Sequence, residues 1–174
     1  IETEHRNSAN LAIWCRTRVF KILWQLNPES RAVVDEVKSS AAETADYASV
    51  SILRGDKHTE ADYVSLIRYV EAIDRHVKPG RSVFAASDDA RTIDELARLM
   101  PHRRFVSVSD PDATGYDHTE FKKLPPDARR LKMLRYFAEL ELLWGAQQHI
   151  GSKTFKASWM VNAYRGGDGM MWLD

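Results

Sequence analysis

The segment Val50-Ser51-Ile52-Leu53-Arg54-Gly55-Asp56-Lys57-His58-Thr59-Glu60 constrains this chain more than any other, because it passes from apolar to charged within a few residues. Ahead of the charges, Tyr47, Val50 and Ile52 read as a short buried strand over 47 to 53. Beyond them, Tyr63, Leu66, Ile67, Val70, Ile73 and Val77 recur at helical spacing, which predicts a helix from Thr59 to Val77. Asp56 or Thr59 is then the expected cap, with Glu60 in the first turn. A strand-to-helix turn directs backbone N–H groups, and here two cations, to one spot at the carboxyl end of a strand. In an open α/β sheet that is where anionic ligands bind.

The rest of the chain repeats the alternation. A helix is expected over 8 to 26, with Leu11, Cys15, Ile22 and Leu26 on one stripe and Phe20 and Trp24 widening it. Asn27-Pro28-Glu29 starts a second helix running to about Lys38. A loop covers Ser39 to Asp46. After the Pro79-Gly80 turn, Ser82 to Ala86 reads as a strand ending in Ser87-Asp88-Asp89. A helix from Ala90 to Met100 follows, then a strand from Arg104 to Val108. Residues 109 to 126 read as irregular and 127 to 149 as a long helix. Thr154-Phe155 is the expected last strand and Ser158 to Tyr164 a short helix closed by Gly166-Gly167. Met170 to Leu173 is apolar and needs a surface, for which docking on the core is the simplest answer. Strands alternating with helices make an α/β, Rossmann-like three-layer sandwich with a mainly parallel sheet. The expectation is one domain over 1–174, with leading helices in 1–45 packed on it.

Composition narrows the function. Lys+Arg and Asp+Glu both number 25, and zero net charge argues against a general nucleic-acid or anionic-membrane role. The basic cluster Arg129, Arg130, Lys132 and Arg135 reads as a solvated helix face. The single cysteine, Cys15, excludes an internal disulfide and reads as a buried structural thiol. No apolar run reaches the roughly 20 residues that span a bilayer. The chain opens on Ile1 without a signal-peptide pattern, as a processed product or an excised piece would.

The sequence has no glycine-rich dinucleotide loop, phosphate loop or nucleophile elbow, and its six histidines are not at metal-ligand spacing. Arg54-Gly55-Asp56 spells an adhesion tripeptide, but on a strand-to-helix turn rather than an exposed hairpin. What remains is Arg54, Asp56, Lys57 and Glu60 at one strand end and Asp88 and Asp89 at the next, lining one crevice. Arg and Lys there suit a phosphate or diphosphate. The carboxylates suit a ribose hydroxyl or a base N–H, and Glu60 could take the proton of an incoming hydroxyl. Composition alone favours the simpler alternative, a solvated turn of Arg54, Asp56 and Lys57 with Asp88 or Asp89 capping the next helix.

The order of an apolar strand, Arg54-Gly55-Asp56-Lys57, then Thr59-Glu60 resembles the signature of the fucosyltransferase superfamily, which includes α1,6-fucosyltransferases and bacterial nodulation fucosyltransferases. Its second motif is matched by Ala86-Ser87-Asp88-Asp89, and its third loosely by Thr154-Phe155-Lys156-Ala157-Ser158. The lead-in with Asn27-Pro28-Glu29 also fits, so the resemblance runs from about Trp14 onward. It implies the donor-binding half of a GT-B glycosyltransferase, with GDP-fucose as donor substrate, a glycan as acceptor, no cofactor and no metal. By position, Arg54 and Lys57 would meet the diphosphate, Glu60 would be the base and Asp88 would contact the nucleotide. Asp56, Asp89, Thr154, Lys156 and Ser158 complete the expected site. A Golgi or secretory lumen is the location the family implies.

Two departures matter. The family's His-x-Arg is Ser51-Ile52-Leu53 here, so Leu53 stands where the first motif arginine belongs. Loss of a bidentate contact to a developing anion costs roughly a hundredfold in rate. Lys156 replaces a small hydroxyl in the third motif and could restore the charge if it reaches the crevice. The alternative to an enzyme is a catalytically silent binding or interaction domain of the same fold. A third reading, an unrelated flavodoxin-like or nucleotide-binding domain, would be favoured by 154–158 lying far from 54–60.

Overall fold

The computed structural model describes residues 2–41, 46–55 and 62–174, with side chains from Leu11 onward. Two leading helices, α1 (Glu2–Leu23) and α2 (Pro28–Ser39), precede β1 (Tyr47–Ile52). Then come α3 (Leu66–His76), β2 (Ser82–Ser87), α4 (Ala90–Leu99) and β3 (Phe105–Val106). The chain continues through α5 (His118–Lys123), α6 (Pro126–Gly145), β4 (Gln148–Gly151), α7 (Lys156–Arg165) and β5 (Met170–Trp172). The described strands form one parallel sheet in the order β3-β2-β1-β4-β5. The α/β, Rossmann-like layering with a parallel sheet is therefore as the alternation implies.

Strand alternation sorts the two cores. Ala48, Val50 and Ile52 of β1, with Val83, Ala85 and Ile150, pack against Tyr69 and Ile73 of α3 and Leu96 of α4. The opposite face carries Tyr47, Phe84 and Ala86, covered by Leu140 and Leu143 of α6 and Val161 of α7. All six residues of β1 are buried, as expected of a strand flanked and covered on every side. Ser49 and Ser51 fall on the α6/α7 face, so these two buried hydroxyls need partners.

The leading helices pack on α6 and α7. Asn27 caps α2 by accepting from the Ser30 N–H at 2.8 Å, as its sequence context implies. The stripe that docks α1 differs from the expected one. Leu11 and Ile22 are exposed, and so is Cys15, so the thiol is not a buried structural one. Thr17, Phe20 and Trp24 dock instead: Thr17 Oγ1 donates to the Ala163 carbonyl at 2.9 Å, and both rings pack around Trp144. Large aromatic rings bury more surface than the aliphatic stripe and set the helix rotation.

Other boundaries also move. The described helix after β1 begins at Leu66 behind Ser65, while Asp56, Thr59 and Glu60, the expected cap and first turn, lie outside the described residues. Tyr63 has helical spacing but sits before the helix, where its hydroxyl donates to the Arg54 carbonyl at 2.9 Å. The irregular stretch after β3 contains α5, capped by Asp117, which accepts from Thr119 N–H at 2.7 Å and Glu120 N–H at 3.0 Å. β4 lies at 148–151, its first two residues at the end of the 127–149 span expected to be helix, and Thr154-Phe155 is the turn into α7. Three polar residues in succession, Gln147, Gln148 and His149, hide this buried strand. Met170–Trp172 is the edge strand beside β4 rather than a docked tail.

Candidate functional site

The crossover from β1 to β2 runs through α3 on one face, and that from β3 to β4 runs through α6 on the other. The order of strand addition thus reverses between β1 and β4. The connections leaving their carboxyl ends run to opposite faces, to α3 and to α7, and such a switch point is the usual seat of a ligand in an open α/β sheet. A small cleft opens at this point, lined by Leu53, Arg54, Tyr63 and Tyr69 on one side and Ser152 and Thr154 on the other.

Arg54 and Asp88 meet at this end of the sheet. The Asp88 carboxylate accepts from the Arg54 backbone N–H at 2.7 Å through Oδ1 and from the Tyr116 N–H at 3.2 Å through Oδ2. Its own carbonyl accepts from Gly115 N–H at 2.8 Å. One residue thereby ties the ends of β1 and β2 to the loop after β3. This junction also explains Gly55. A Cβ there would strike the Asp88 carboxylate and fall 2.5 Å from the Tyr116 nitrogen. Gly115, at φ +115°, supplies the opposing close approach.

The Arg54 guanidinium donates to the Leu53 carbonyl at 2.8 Å and the Val64 carbonyl at 3.0 Å, and lies 5.3 Å from the Tyr63 ring centre. Two of its five N–H donors are engaged in these bonds. Asp89 behaves as a helix cap: it accepts from the Arg91 N–H at 3.0 Å and pairs with the Arg91 guanidinium at 2.6 and 2.9 Å. That guanidinium holds its carboxyl below the usual carboxylate range. Asp56, Lys57 and Glu60 lie outside the described residues.

The third motif divides. Thr154 lines the cleft with Ser152, whose hydroxyl donates to Asp174 Oδ2 at 2.7 Å and accepts from the Thr154 N–H at 3.1 Å. Lys156 is exposed at the first position of α7. Ser158 is fully buried and bonds Ser51 Oγ at 2.8 Å, away from solvent.

Ser158 ends a buried polar chain that fixes the tautomer of His149. The Ser49 hydroxyl donates to the Leu143 carbonyl at 2.8 Å, so it accepts from His149 Nδ1–H at 2.9 Å. His149 Nε2 then accepts from Ser51 at 3.2 Å, and Ser51 accepts from Ser158. Every member is satisfied with a neutral imidazole, and burial pushes its pKa down to about 3. Gly151 leaves the room, since a Cβ there would meet Ser158 Oγ and His149 Nε2.

One carboxyl at the carboxyl end of the sheet was not singled out by the sequence. Glu139 of α6 has its pKa pushed up to about 7, first by burial, against a hydrogen bond from Ser109 and the charge of Arg135; Asp88 and Asp110 raise it further. Ser109 in turn accepts from the Ser87 N–H at 3.3 Å, which puts Glu139 beside the carboxyl end of β2. The signal available was a pair of carboxylates, Glu139 and Glu141, inside an otherwise apolar run from Tyr136 to Trp144. Among the described residues, no cluster has the composition of a metal site, and no helix is long and apolar enough to cross a membrane.

No family model matches the sequence, and no curated protein is similar to it. Solved structures are. The chain is similar to NodZ α1,6-fucosyltransferase soaked with GDP-fucose, at 16% identity and a TM-score of 0.51 over 80% of this chain and 43% of that one. It is also similar to NodZ co-crystallised with GDP, at 16% identity and a TM-score of 0.50 over 81% of this chain and 42% of that one. The chain thus spans less than half the length of these neighbours, and over most of its own length its fold is fucosyltransferase-like.

Proposed function

We propose that the chain is the donor-binding part of a fucosyltransferase-like glycosyltransferase, seating GDP-fucose in the crevice between β1 and β4. The observation that carries this reading is the Arg54–Asp88 junction, which fixes the carboxyl end of β1, the strand beside which the strand order reverses. Two solved neighbours with GDP or GDP-fucose support it. In this reading Arg54 and Lys57 face the diphosphate, where negative charge grows as the leaving group departs. The acceptor hydroxyl oxygen attacks the anomeric carbon, the bond from that carbon to the diphosphate oxygen breaks, and Glu60 takes the hydroxyl proton. The configuration inverts, and GDP leaves carrying the electron pair.

Asp88 acts by position: its carboxylate is spent on two backbone N–H groups, so it shapes the turn that presents Arg54. Glu139 is then the better carboxylate for a base N–H, being beside the same strand end with its charge incompletely satisfied. The test is calorimetry with GDP on the full chain. Saturable binding weakened about tenfold or more by Arg54→Ala supports the reading. An absence of heat at millimolar GDP counts against it.

One observation favours a second reading, a nucleotide-binding domain without turnover. Leu53 occupies the cleft where the family pattern calls for its first arginine. An assay for GDP release from GDP-fucose with a glycan acceptor, run on the chain joined to an acceptor-binding half, separates the two. Binding without release selects the silent domain.

A further inference from the structure

A second cavity lies away from this crevice. It is an open groove of about 490 Å³ between the leading helices and the ends of α6 and α7, a size suited to a small molecule. Gly145 borders it, and the Tyr47 hydroxyl, at the start of β1, bonds the Leu142 carbonyl of the same helix end. The groove therefore opens at the amino end of the sheet, opposite the crevice.

Its lining offers donors and few acceptors. Lys21, Arg31 and Lys38 supply three cations, against a single lining carboxylate, Glu141. That carboxylate is already filled: it accepts from Trp24 Nε1 at 2.9 Å, from Arg31 Nη1 at 2.7 and 2.9 Å, and from Lys38 at 2.8 Å. Asp35 reaches Arg31 at 3.5 Å and Lys38 at 3.8 Å from a half-exposed position on the rim. Among the described residues, Lys21 meets no carboxylate, and Arg31 bonds through Nη1 alone. The Lys21 ammonium instead lies 4.8 Å from the centre of the Tyr164 ring, whose plane stacks on Trp144 at 4.2 Å.

The end of a helix carries negative potential that would repel an anion. Here it is blunted, because the last carbonyls of α6 accept from Tyr47 and Ser49 and the Ala146 carbonyl accepts from Arg165. Trp24, Trp144 and Tyr164 form the aromatic side of the groove. A neutral polyol would find no open acceptor on Glu141, whereas a tetrahedral oxyanion would meet unspent N–H donors from two helices.

We propose that this groove is an oxyanion site, separate from the crevice, that takes a small phosphate or sulfate ester and fastens α1 and α2 to the body of the domain. Lys21 is the residue to test, since its removal breaks no ion pair among the described residues. Inorganic phosphate and inorganic sulfate are titrated separately by calorimetry into the full chain, its Lys21→Ala and Lys21→Met variants, and its Arg54→Ala variant. The expected result is saturable binding of at least one anion, weakened about fivefold by either Lys21 variant and unchanged by Arg54→Ala. Tighter phosphate assigns a phosphate ester and tighter sulfate a sulfate ester. Unaltered binding in both Lys21 variants, loss of binding in Arg54→Ala, or no saturable heat with either anion overturns the site. None of these outcomes bears on GDP in the crevice, which is read by its own titration.

Discussion

The carboxylate of Asp88 accepts the backbone N–H of Arg54 at 2.7 Å, joining the carboxyl ends of two neighbouring parallel strands by a side chain rather than by the ladder. The register of β1 and β2 closes at Ile52 opposite Ser87, so this bond is the first contact beyond the last paired residues. It sets where the turn leaves the sheet and hence where the Arg54 side chain starts. Asp88→Ala strands two N–H groups and is expected to destabilise the fold by about 1–3 kcal/mol. Denaturant unfolding with an unchanged m-value checks it. Asp88→Asn keeps one acceptor oxygen and should lose less.

Gly55 follows directly in the same junction. With its Cα facing Asp88 and the Tyr116 backbone, even alanine forces the loop after β3 away from the turn. Gly55→Ala is expected to cost about 2 kcal/mol or more, in the range of overpacking. It should also weaken GDP binding, because the crevice wall moves; calorimetry and thermal unfolding on one preparation read both.

His149 gives a pH dependence of known sign. Its folded-state pKa of about 3 lies below the ordinary value near 6.5, so the unfolded chain takes up a proton that the folded chain refuses. The contribution of the neutral imidazole is therefore complete above about pH 6.5. It is lost as pH falls toward 3, at a limiting slope of about 1.4 kcal/mol per pH unit. Nitrogen NMR at pH 5 should still show a neutral ring protonated at Nδ1. A His149→Asn variant should lose this part of the slope, even if its stability at pH 7 is lower.

Glu141 binds the leading helices to the domain through Trp24, Arg31 and Lys38, and its side chain is only 8% exposed while those of the two cations are about one third exposed. Solvent screening of the cations lowers the worth of the cluster below that of a fully buried pair. Glu141→Ala is expected to cost about 2 kcal/mol and to shift the Trp24 fluorescence to the red, as α1 and α2 loosen first. An unchanged emission maximum with lowered global stability would contradict that order.

Much of this was legible in the chain itself. The β1 and β2 runs, the Asn27 and Asp89 caps and the Gly166 terminus rest on local chemistry, so Tyr47–Ile52, Ser82–Ser87 and α2 fall where the residues put them. β4 did not, because its strand character comes from pairing with β1 and from a histidine buried by partners about a hundred residues away. Helical periodicity at Tyr63 misled for a related reason: that ring serves Arg54, not a helix face. At the site, the proximity of Arg54 to Asp88 followed from strand order. The commitment of Asp88 to backbone, the burial of Ser158 and the raised pKa of Glu139 depend on neighbours remote in sequence.

The central claim, that a guanine diphosphate sits where β1 and β4 part, is tested most directly by titrating GDP into the full chain and its Arg54→Ala and Glu139→Gln variants between pH 6 and 8. Saturable binding is expected, weakened about tenfold or more by Arg54→Ala. In the native chain it should tighten as pH rises through about 7, where Glu139 ionises, and Glu139→Gln should flatten that rise. GDP affinity that is indifferent to Arg54→Ala, or no saturable binding at millimolar GDP, would contradict the account.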